Sequence, residues 1–512
     1  MRTLRLLVLT ALLAAITAPS ALAAQTKKDV TVTSKKDGTP IVISVYKPDG
    51  ARATAPVPVI LHSHGWGGSR TSSPTAFQTE MDNGFGVVSI DQRGHGDSGG
   101  QANVEDPEFE GQDMISVIDY VAGLDWVAKD RGLGRPNDPT LFAMGGSYGG
   151  GYQYVAAFTE LRDLGYTRLN ALAPEITWYD LPQSLAPSKV ARTAWTTLLY
   201  AAGAPMLPQY VHEAFAWGAT TGQWPDGTAP AVPNLQAEFF EHGPSGHVAA
   251  GRKLDIPVLL GQGLNDNLFN FNEAYKNLEL ALTPTARAKS LVVGYNGGHA
   301  LPNVLPLGSA GSGDSCSGDG GFSTLRRSFF QRVRAGKDPS RLLPAKYNLS
   351  TTGDTCVRTD RVDVRKAYPV GIDATVTRGT ATTTGAGAPQ HLEIAQGPLT
   401  IAGVPTLDAK VTTVGADQRV FFAISVGTSP ADATVVHNNT MPLRELLPVV
   451  QEQRTIELPG IAVEVPEGQN AYLTVSPVSD LFFGHGSVRT PGVVTLEDMT
   501  VNLPTVVPPQ AR

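Results

Sequence analysis

The sequence predicts an α/β unit built on a mostly parallel sheet with helices on both faces, followed by an all-β unit. Three observations carry this. Between about residues 29 and 300, short β-rich apolar runs alternate with longer stretches of helical periodicity. Between Glu175 and about Lys253 that alternation gives way to a stretch rich in Ala, Trp, Leu and Pro, which reads as several short helices. From about Arg361 onward Thr and Val dominate and turns recur about every 8–12 residues, the texture of a β-sandwich or jelly roll.

The expected strands are Ile41 to Val45, Val57 to Leu61, Gly86 to Ile90, Leu141 to Met144, Ile256 to Leu260 and Leu291 to Val293. Their near-continuous apolar character demands burial on both faces. The segment from Gly111 to Ala128 places Met114, Ile115, Val117, Ile118, Val121 and Leu124 at helical spacing, and Phe271 to Leu282 repeats the pattern behind Asp266. The stretch from 175 to 253 then forms a lid over the carboxyl ends of the strands, where open α/β sheets bind ligands. Gly308 to Gly321 reads as a loop and Thr324 to Ala335 as a helix. The resulting division is an α/β unit at 24–345, a linker at 346–360 and the β-unit at 361–512. Alternating runs such as Leu407 to Val411 and Phe421 to Val426 supply strands of the β-unit.

Composition narrows the class. The 512 residues are 41% apolar and 17% charged, too apolar for a disordered chain. Residues 1–23 hold Arg2 and Arg5 and no acid, so the rest carries 38 basic against 47 acidic residues, a net −9 without a basic run. A nucleic-acid partner is not expected. Arg2 and Arg5, the apolar stretch Leu6 to Ile16 and Ala21-Leu22-Ala23 make a cleaved export signal over 1–23, with a membrane anchor as the alternative. No later run of 18 apolar residues is present, so no membrane span is expected and the protein is expected to be secreted. The two cysteines exclude Cys-rich zinc and iron–sulfur modules. In an oxidising compartment Cys316 and Cys356 are expected to form a disulfide, two buried thiols being the alternative.

Gly145-Gly146-Ser147-Tyr148-Gly149 has the form G-x-S-x-G, with an expected strand before it and a helix beginning near Tyr148. A sharp strand-to-helix turn needs small residues around a serine whose hydroxyl must project, and the helix aims free N–H groups at the site. Gly96-Asp97-Ser98-Gly99-Gly100 has the same form, but no helix starts there and it reads as a loop turn. A serine nucleophile needs a base and the base an orienting acid. His299, in Gly297-Gly298-His299, and Asp266, in Leu264-Asn265-Asp266, each follow an expected strand, and Ser147…Asp266…His299 is the chain order of α/β-hydrolases. His64-Gly65-Trp66-Gly67-Gly68 follows another strand, so the oxyanion hole is assigned to the amides of Trp66 and Tyr148. His62 and His64 read as structural. No H-E-x-x-H, C-x-x-C or Walker loop occurs, so no metal and no cofactor is expected.

Ser147 in Gly-Gly-Ser-Tyr-Gly-Gly, the segment Gln262 to Asp266, Gly298-His299, the helical insertion and the β-rich tail resemble the Xaa-Pro dipeptidyl-peptidase and cocaine-esterase group of α/β-hydrolases. The resemblance covers almost the whole chain beyond the export signal. It implies a serine hydrolase with a cap and a jelly roll packed on the catalytic unit, and carries the triad onto Ser147, Asp266 and His299. Cocaine-esterase-like members place a tyrosine hydroxyl in the oxyanion hole, whereas this chain has Trp66 there. The expected activity is ester cleavage through an acyl-enzyme on a small-molecule substrate. Release of N-terminal dipeptides from short peptides is the second reading, and it needs a carboxylate for the substrate ammonium, for which Glu175 and Asp180 are candidates. Trp178, Tyr179, Trp195, Trp217 and Trp224 are candidates for an apolar pocket. A third reading is a secreted polysaccharide- or cell-wall-binding protein with a vestigial hydrolase fold.

Overall fold

The computed structural model describes residues 26–130, 135, 137–301, 306, 308–309, 311–363, 365–378, 388–484 and 491–506. The expected export signal at 1–23 lies outside the described residues. The first strands are β1 (Thr26–Thr33), β2 (Pro40–Lys47), β3 (Val59–Ser63), β4 (Gly86–Ile90), β5 (Leu141–Gly146), β6 (Leu169–Glu175), β7 (Leu259–Gly263) and β8 (Leu291–Tyr295). A two-residue strand β9 (Gly308–Ser309) comes next, then β10 (Tyr347–Ser350) and β11 (Cys356–Thr359). All but β9 join one sheet in the order β1-β2-β4-β3-β5-β6-β7-β8-β10-β11. The strands from β4 through β10 run parallel, with antiparallel β1, β2 and β11 at the two edges.

Along the chain the helices are α1 (Gln78–Asp82), α2 (Glu110–Ala122), α3 (Tyr148–Leu164), α4 (Leu181–Leu185), α5 (Thr193–Gly203), α6 (Gln209–Thr221), α7 (Leu235–Glu241), α8 (Pro244–Ala249), α9 (Phe271–Leu280), α10 (Pro284–Ala288) and α11 (Gly321–Arg334). The two-residue period of the strands explains why both sheet faces need cover. Val59, Leu61, Leu141 and Ala143 share a core with Val117 and Ile118 of α2, Tyr152 and Val155 of α3, and Phe271 of α9. Their neighbours Ile60, Phe142 and Met144 point the other way, onto Met81 of α1 and Leu325, Phe329 and Phe330 of α11. Each fully buried side chain of this kind contributes about 1.5–3 kcal/mol, which is what holds helices on both sides of the sheet.

β6 was not among the expected strands, because Asn170 and Pro174 interrupt its apolar run, yet it lies near the middle of the sheet. The segment 346–360 is not a linker: β10 pairs with β8 and β11 with β10, so this segment extends the sheet edge. Tyr347, Leu349 and Val357 bury against the α/β core, which is why the hairpin docks there. The five helices α4 to α8 lie between β6 and β7. Beyond β11 the chain forms antiparallel sheets. Thr406–Val414 pairs with Gly492–Leu503 and Glu452–Glu457, and Gln418–Gly427 pairs with Asn470–Ser476 and Met441–Glu445. Leu407, Val411, Phe422, Ile424, Leu473 and Val501 from these strands meet in a second core. Among the described residues no helix is long and apolar enough to cross a membrane.

Two features fasten the segment after His299 to its surroundings. β9, shortly after His299, pairs in parallel with Thr434–Val436 of the β-unit. Cys316 and Cys356 form a disulfide, joining the loop ahead of α11 to the first residue of β11. For a sequence separation of 40, loop-closure entropy makes the bond worth about 4 kcal/mol. The double substitution Cys316→Ala/Cys356→Ala is therefore expected to lower the unfolding free energy by about that amount, read as a lower denaturant midpoint. A midpoint equal to that of the parent protein contradicts the assignment.

Candidate active site

Ser147 occupies the one-residue turn between β5 and α3, with φ 58° and ψ −123°. An L-residue in that region is strained, and the strain is held by what surrounds it. Its N–H donates to the Glu175 carbonyl at the end of β6 (2.9 Å), while the Gly150 and Gly151 N–H groups close on its own carbonyl. The glycines on either side are required by close approach. A Cβ at Gly145 would lie 2.4 Å from the Gly149 carbonyl oxygen, and one at Gly149 would lie 2.5 Å from the Ser63 carbonyl oxygen at the end of β3. The G-x-S-x-G spacing is thus the condition for packing the turn against its neighbouring strand.

Three loops at the carboxyl ends of β5, β7 and β8 bring the serine, acid and histidine together. His299 Nε2 stands 2.8 Å from Ser147 Oγ, and His299 Nδ1 stands 2.7 Å from Asp266 Oδ2. Asp266 is fully buried. Its Oδ1 accepts the N–H groups of Leu268 and Phe269, at 3.0 and 2.7 Å, and its Oδ2 also accepts the His299 main-chain N–H at 3.0 Å. A carboxylate accepts the Nδ1–H hydrogen bond, so the ring keeps its proton on Nδ1 and presents a bare Nε2 to the serine hydroxyl. Burial pushes the His299 pKa down, but the charge and hydrogen bond of Asp266 outweigh it, and the imidazole stands above its ordinary 6.5. The edges and faces of Trp195 and Phe269, with ring centroids 5.8 and 5.3 Å away, fix the ring in place.

The loop following β3 lies against the serine: a Cβ at Gly65 would sit 3.8 Å from Ser147 Cβ. The main-chain N–H groups of Trp66 and of Tyr148, the first residue of α3, have no hydrogen-bond partner among the described residues. The Trp66 indole N–H is committed to the Leu199 carbonyl of α5 (2.9 Å), and the Tyr148 hydroxyl accepts the Glu105 N–H (3.3 Å). His64 ties its loop, with Nδ1 on the Gly65 carbonyl and Nε2 accepting from the Gln92 N–H. His62 is held on Ser89, and burial pushes its pKa down to about 4. Ser98 accepts the Val42 N–H and donates to the Asp91 carbonyl, the role of a loop turn.

A cavity of about 310 Å³ opens at Ser147. Trp66, Tyr148, Trp178, Leu181, Phe239 and Phe269 are in its wall, and among the described residues no charged side chain lines it. Three expectations need correction. Glu175 is not in this wall: its carboxylate pairs with Arg326 of α11 at 2.8 Å, on the opposite side of the sheet end. Tyr179 belongs to the α/β core, its N–H held by the buried Glu273 carboxylate. Asp180 caps α4 by accepting the Gln183 N–H. Trp178 and Trp224 do line the cavity, and Trp195 lies beside His299, with its indole N–H on Asn267 Oδ1. Trp217 of α6 is not in the wall. Phe269 and, from the β-unit, Phe483 also line the cavity without having been expected; the Phe483 carbonyl accepts from Thr193 Oγ1 across 290 residues, a separation that leaves no local signal. Asp106, Glu238 and His242 are of metal-ligating type, but each carboxylate lies 3.7 Å from His242 Nε2, a distance that fits plain imidazole–carboxylate pairing.

Comparison with known proteins gives the family and the fold. The model of the X-Pro dipeptidyl-peptidase (S15) family matches residues 37–300, more than half of the 512 residues. No curated protein sequence matches the chain significantly. Among solved structures, an aminopeptidase from a marine sediment Thaumarchaeota archaeon is similar with a TM-score of 0.65 and 14% identity, covering 97% of this chain and 99% of that one. A CocE/NonD family hydrolase from Staphylococcus aureus is similar with a TM-score of 0.63 and 13% identity, covering 94% and 93%. An α-amino acid ester hydrolase is similar with a TM-score of 0.60 and 13% identity, covering 96% and 98%. At these identities the likeness is one of fold, and it extends through the β-unit.

The contacts of His299 have a direct consequence for its titration. Followed by NMR, the ring is expected to titrate with a midpoint above 6.5, and Asp266→Asn is expected to lower it below 6.5, since burial then acts alone. A midpoint that does not move on that substitution contradicts the pairing.

Proposed function

The chain belongs to the X-Pro dipeptidyl-peptidase (S15) family and is a serine hydrolase of the esterase or dipeptidyl-peptidase kind, and from that premise we propose that it cleaves carboxylic esters of uncharged acids through an acyl-enzyme. In this reading Ser147 Oγ attacks the acyl carbonyl while His299 Nε2 takes its proton. The imidazolium that forms lies against the Asp266 carboxylate, and the negative charge growing on the carbonyl oxygen is met by the Trp66 and Tyr148 N–H groups. Collapse expels the alcohol, which takes the proton from His299. Water then attacks the acyl-serine with His299 again as base, releasing the acid and restoring the serine.

The observation that carries the choice of ester is that, among the described residues, no charged side chain lines the cavity. An N-terminal dipeptide brings an ammonium group to such a site, and an ammonium buried without a carboxylate is costly by several kcal/mol. The acids expected for that task are engaged elsewhere, Glu175 with Arg326 and Asp180 as a helix cap. An uncharged acyl group meets no such cost and gains about 25 cal/mol for each Å² of apolar surface it buries. The family's own description favours dipeptide release as the second reading. Export over residues 1–23 belongs to the same proposal, with the mature chain beginning near Ala24.

Ser147→Ala is expected to lower kcat by about 10⁴-fold or more with the fold retained. A panel of p-nitrophenyl esters beside Gly-Pro and Ala-Pro amides decides between the two readings: ester turnover without amide cleavage is the expected result, and amide cleavage at comparable kcat/KM overturns the ester reading. N-terminal sequencing of protein recovered from culture medium is expected to begin near Ala24.

A further inference from the structure

We propose that the turn after strand Thr434–Val436 of the β-unit is a working part of the active site, and that His437 and Asn439 are positioning residues for Asp266. The proposal rests on the reading of Ser147, His299 and Asp266 as the reacting set. Its basis is that three consecutive residues of the acid loop are each gripped by a side chain from outside the parallel sheet. His437 Nδ1 lies 2.9 Å from Asn265 Oδ1. The Asn439 carboxamide N–H donates to the Asp266 carbonyl at 2.9 Å. Arg192, from the insertion between β6 and β7, donates to the Asn267 carbonyl at 2.8 Å and reaches Sδ of Met441, the first residue of the strand that follows that turn.

The chemistry of these contacts is directional. Asn265 uses its carboxamide N–H on the Gly311 carbonyl, so its Oδ1 accepts and His437 Nδ1 carries the proton. His437 Nε2 lies 3.0 Å from the Ala462 carbonyl oxygen and 3.3 Å from the Ala462 N–H, and burial pushes the pKa of the ring down to about 4, so it stays neutral and Nε2 accepts from that N–H. His437 and Asn439 are 0% and 1% exposed, which leaves no room for water to replace a lost donor. His437 and Asn438 also both have positive φ, 56° and 52°. Two successive L-residues in the left-handed region are unfavourable, and here the conformation is what turns His437 and Asn439 toward the acid loop.

From the sheet side the acid loop is held by the Leu264 N–H on the Tyr295 carbonyl of β8 (2.8 Å), by Gln262 of β7 on the Phe269 carbonyl (2.6 Å) and by the Asn267 N–H on the His299 carbonyl (3.0 Å), and the contacts from outside the sheet add to these at residues 265–267. Asp266 Oδ2 must meet His299 Nδ1 while Nε2 meets Ser147, so a shift of the loop by about 1 Å would misplace the base and cost about 10²-fold in rate. None of residues 437–441 lines the cavity, so substrate binding does not depend on them directly.

The test is kinetic, on the full-length protein with a p-nitrophenyl ester. Asn439→Ala is expected to lower kcat by about 10- to 100-fold with KM within about twofold of the parent. In an Asp266→Asn background the same substitution is expected to cause no further loss, because its effect passes through Asp266. An equal loss in both backgrounds, or an unchanged kcat in a folded Asn439→Ala protein, overturns the proposal. If Asn439→Ala does not fold, His437 serves: Asn keeps an N–H donor at the Nδ1 position, so His437→Asn is expected to retain most of kcat while His437→Leu loses it. Equal activity of those two variants overturns the proposal. Labelling of Ser147 by a fluorophosphonate, and inactivity of Ser147→Ala, separate failure of this inference from failure of the reading on which it rests.

Discussion

The Asp266 carboxylate is fully buried, and an ionised acid in that position is tolerable only because four N–H groups converge on its two oxygens. Much of the site is a consequence of that requirement. Two of the donors come from Leu268 and Phe269, so the loop after β7 must curl back on the acid. The other two belong to His299, which ties the loop after β8 to the loop after β7 and sets which ring nitrogen faces Ser147. The histidine is thus oriented by the same bonds that satisfy the buried acid. Removing either partner would leave a buried group unsatisfied.

A second constraint is steric and acts on the serine. Gly145 and Gly149 allow the turn at Ser147 to approach the Ser63 carbonyl at the end of β3. This approach brings the Gly65–Trp66 loop beside the serine. Backbone strain at Ser147 is therefore balanced by the register of β3 and β5, in which Val59 to His62 pair with Leu141 to Met144. The parallel sheet is the rigid element, and the reacting groups are carried on connections at one end of it.

Those connections are braced from beyond the sheet. α4 to α7 supply much of the apolar wall of the cavity, with Arg192 and Trp195 reaching the acid loop. The β-unit reaches the same loop through His437 and Asn439 and adds β9 to one of its own sheets. The Cys316–Cys356 disulfide fastens the intervening segment to the sheet edge. An aromatic and aliphatic cavity beside a polar catalytic row is a division of labour with a chemical origin. In the proposed reading, proton transfer needs fixed dipoles, whereas an uncharged acyl group needs only the removal of water.

Much of this was legible in the chain alone, and the limit has a physical origin. The parallel sheet was visible because strands buried on both faces read as unbroken apolar runs, and the serine turn because close approach admits only glycine at Gly145 and Gly149. Ser147, Asp266 and His299 were legible because each directly follows a strand, in a known order. β6 and the hairpin of β10 and β11 were obscured, since their place in the sheet depends on neighbours rather than on local periodicity. The engagement of Glu175 with Arg326, the packing of Tyr179 beside Glu273, the contact of Phe483 with Thr193 and the grip of His437 and Asn439 on the acid loop join residues 94 to 290 positions apart. Local pattern determined which residues can do chemistry, because turns and strands are set by near neighbours. Which of them share the site, and what holds them there, was decided by tertiary packing, because desolvation and hydrogen-bond pairing depend on distance in space and not along the chain.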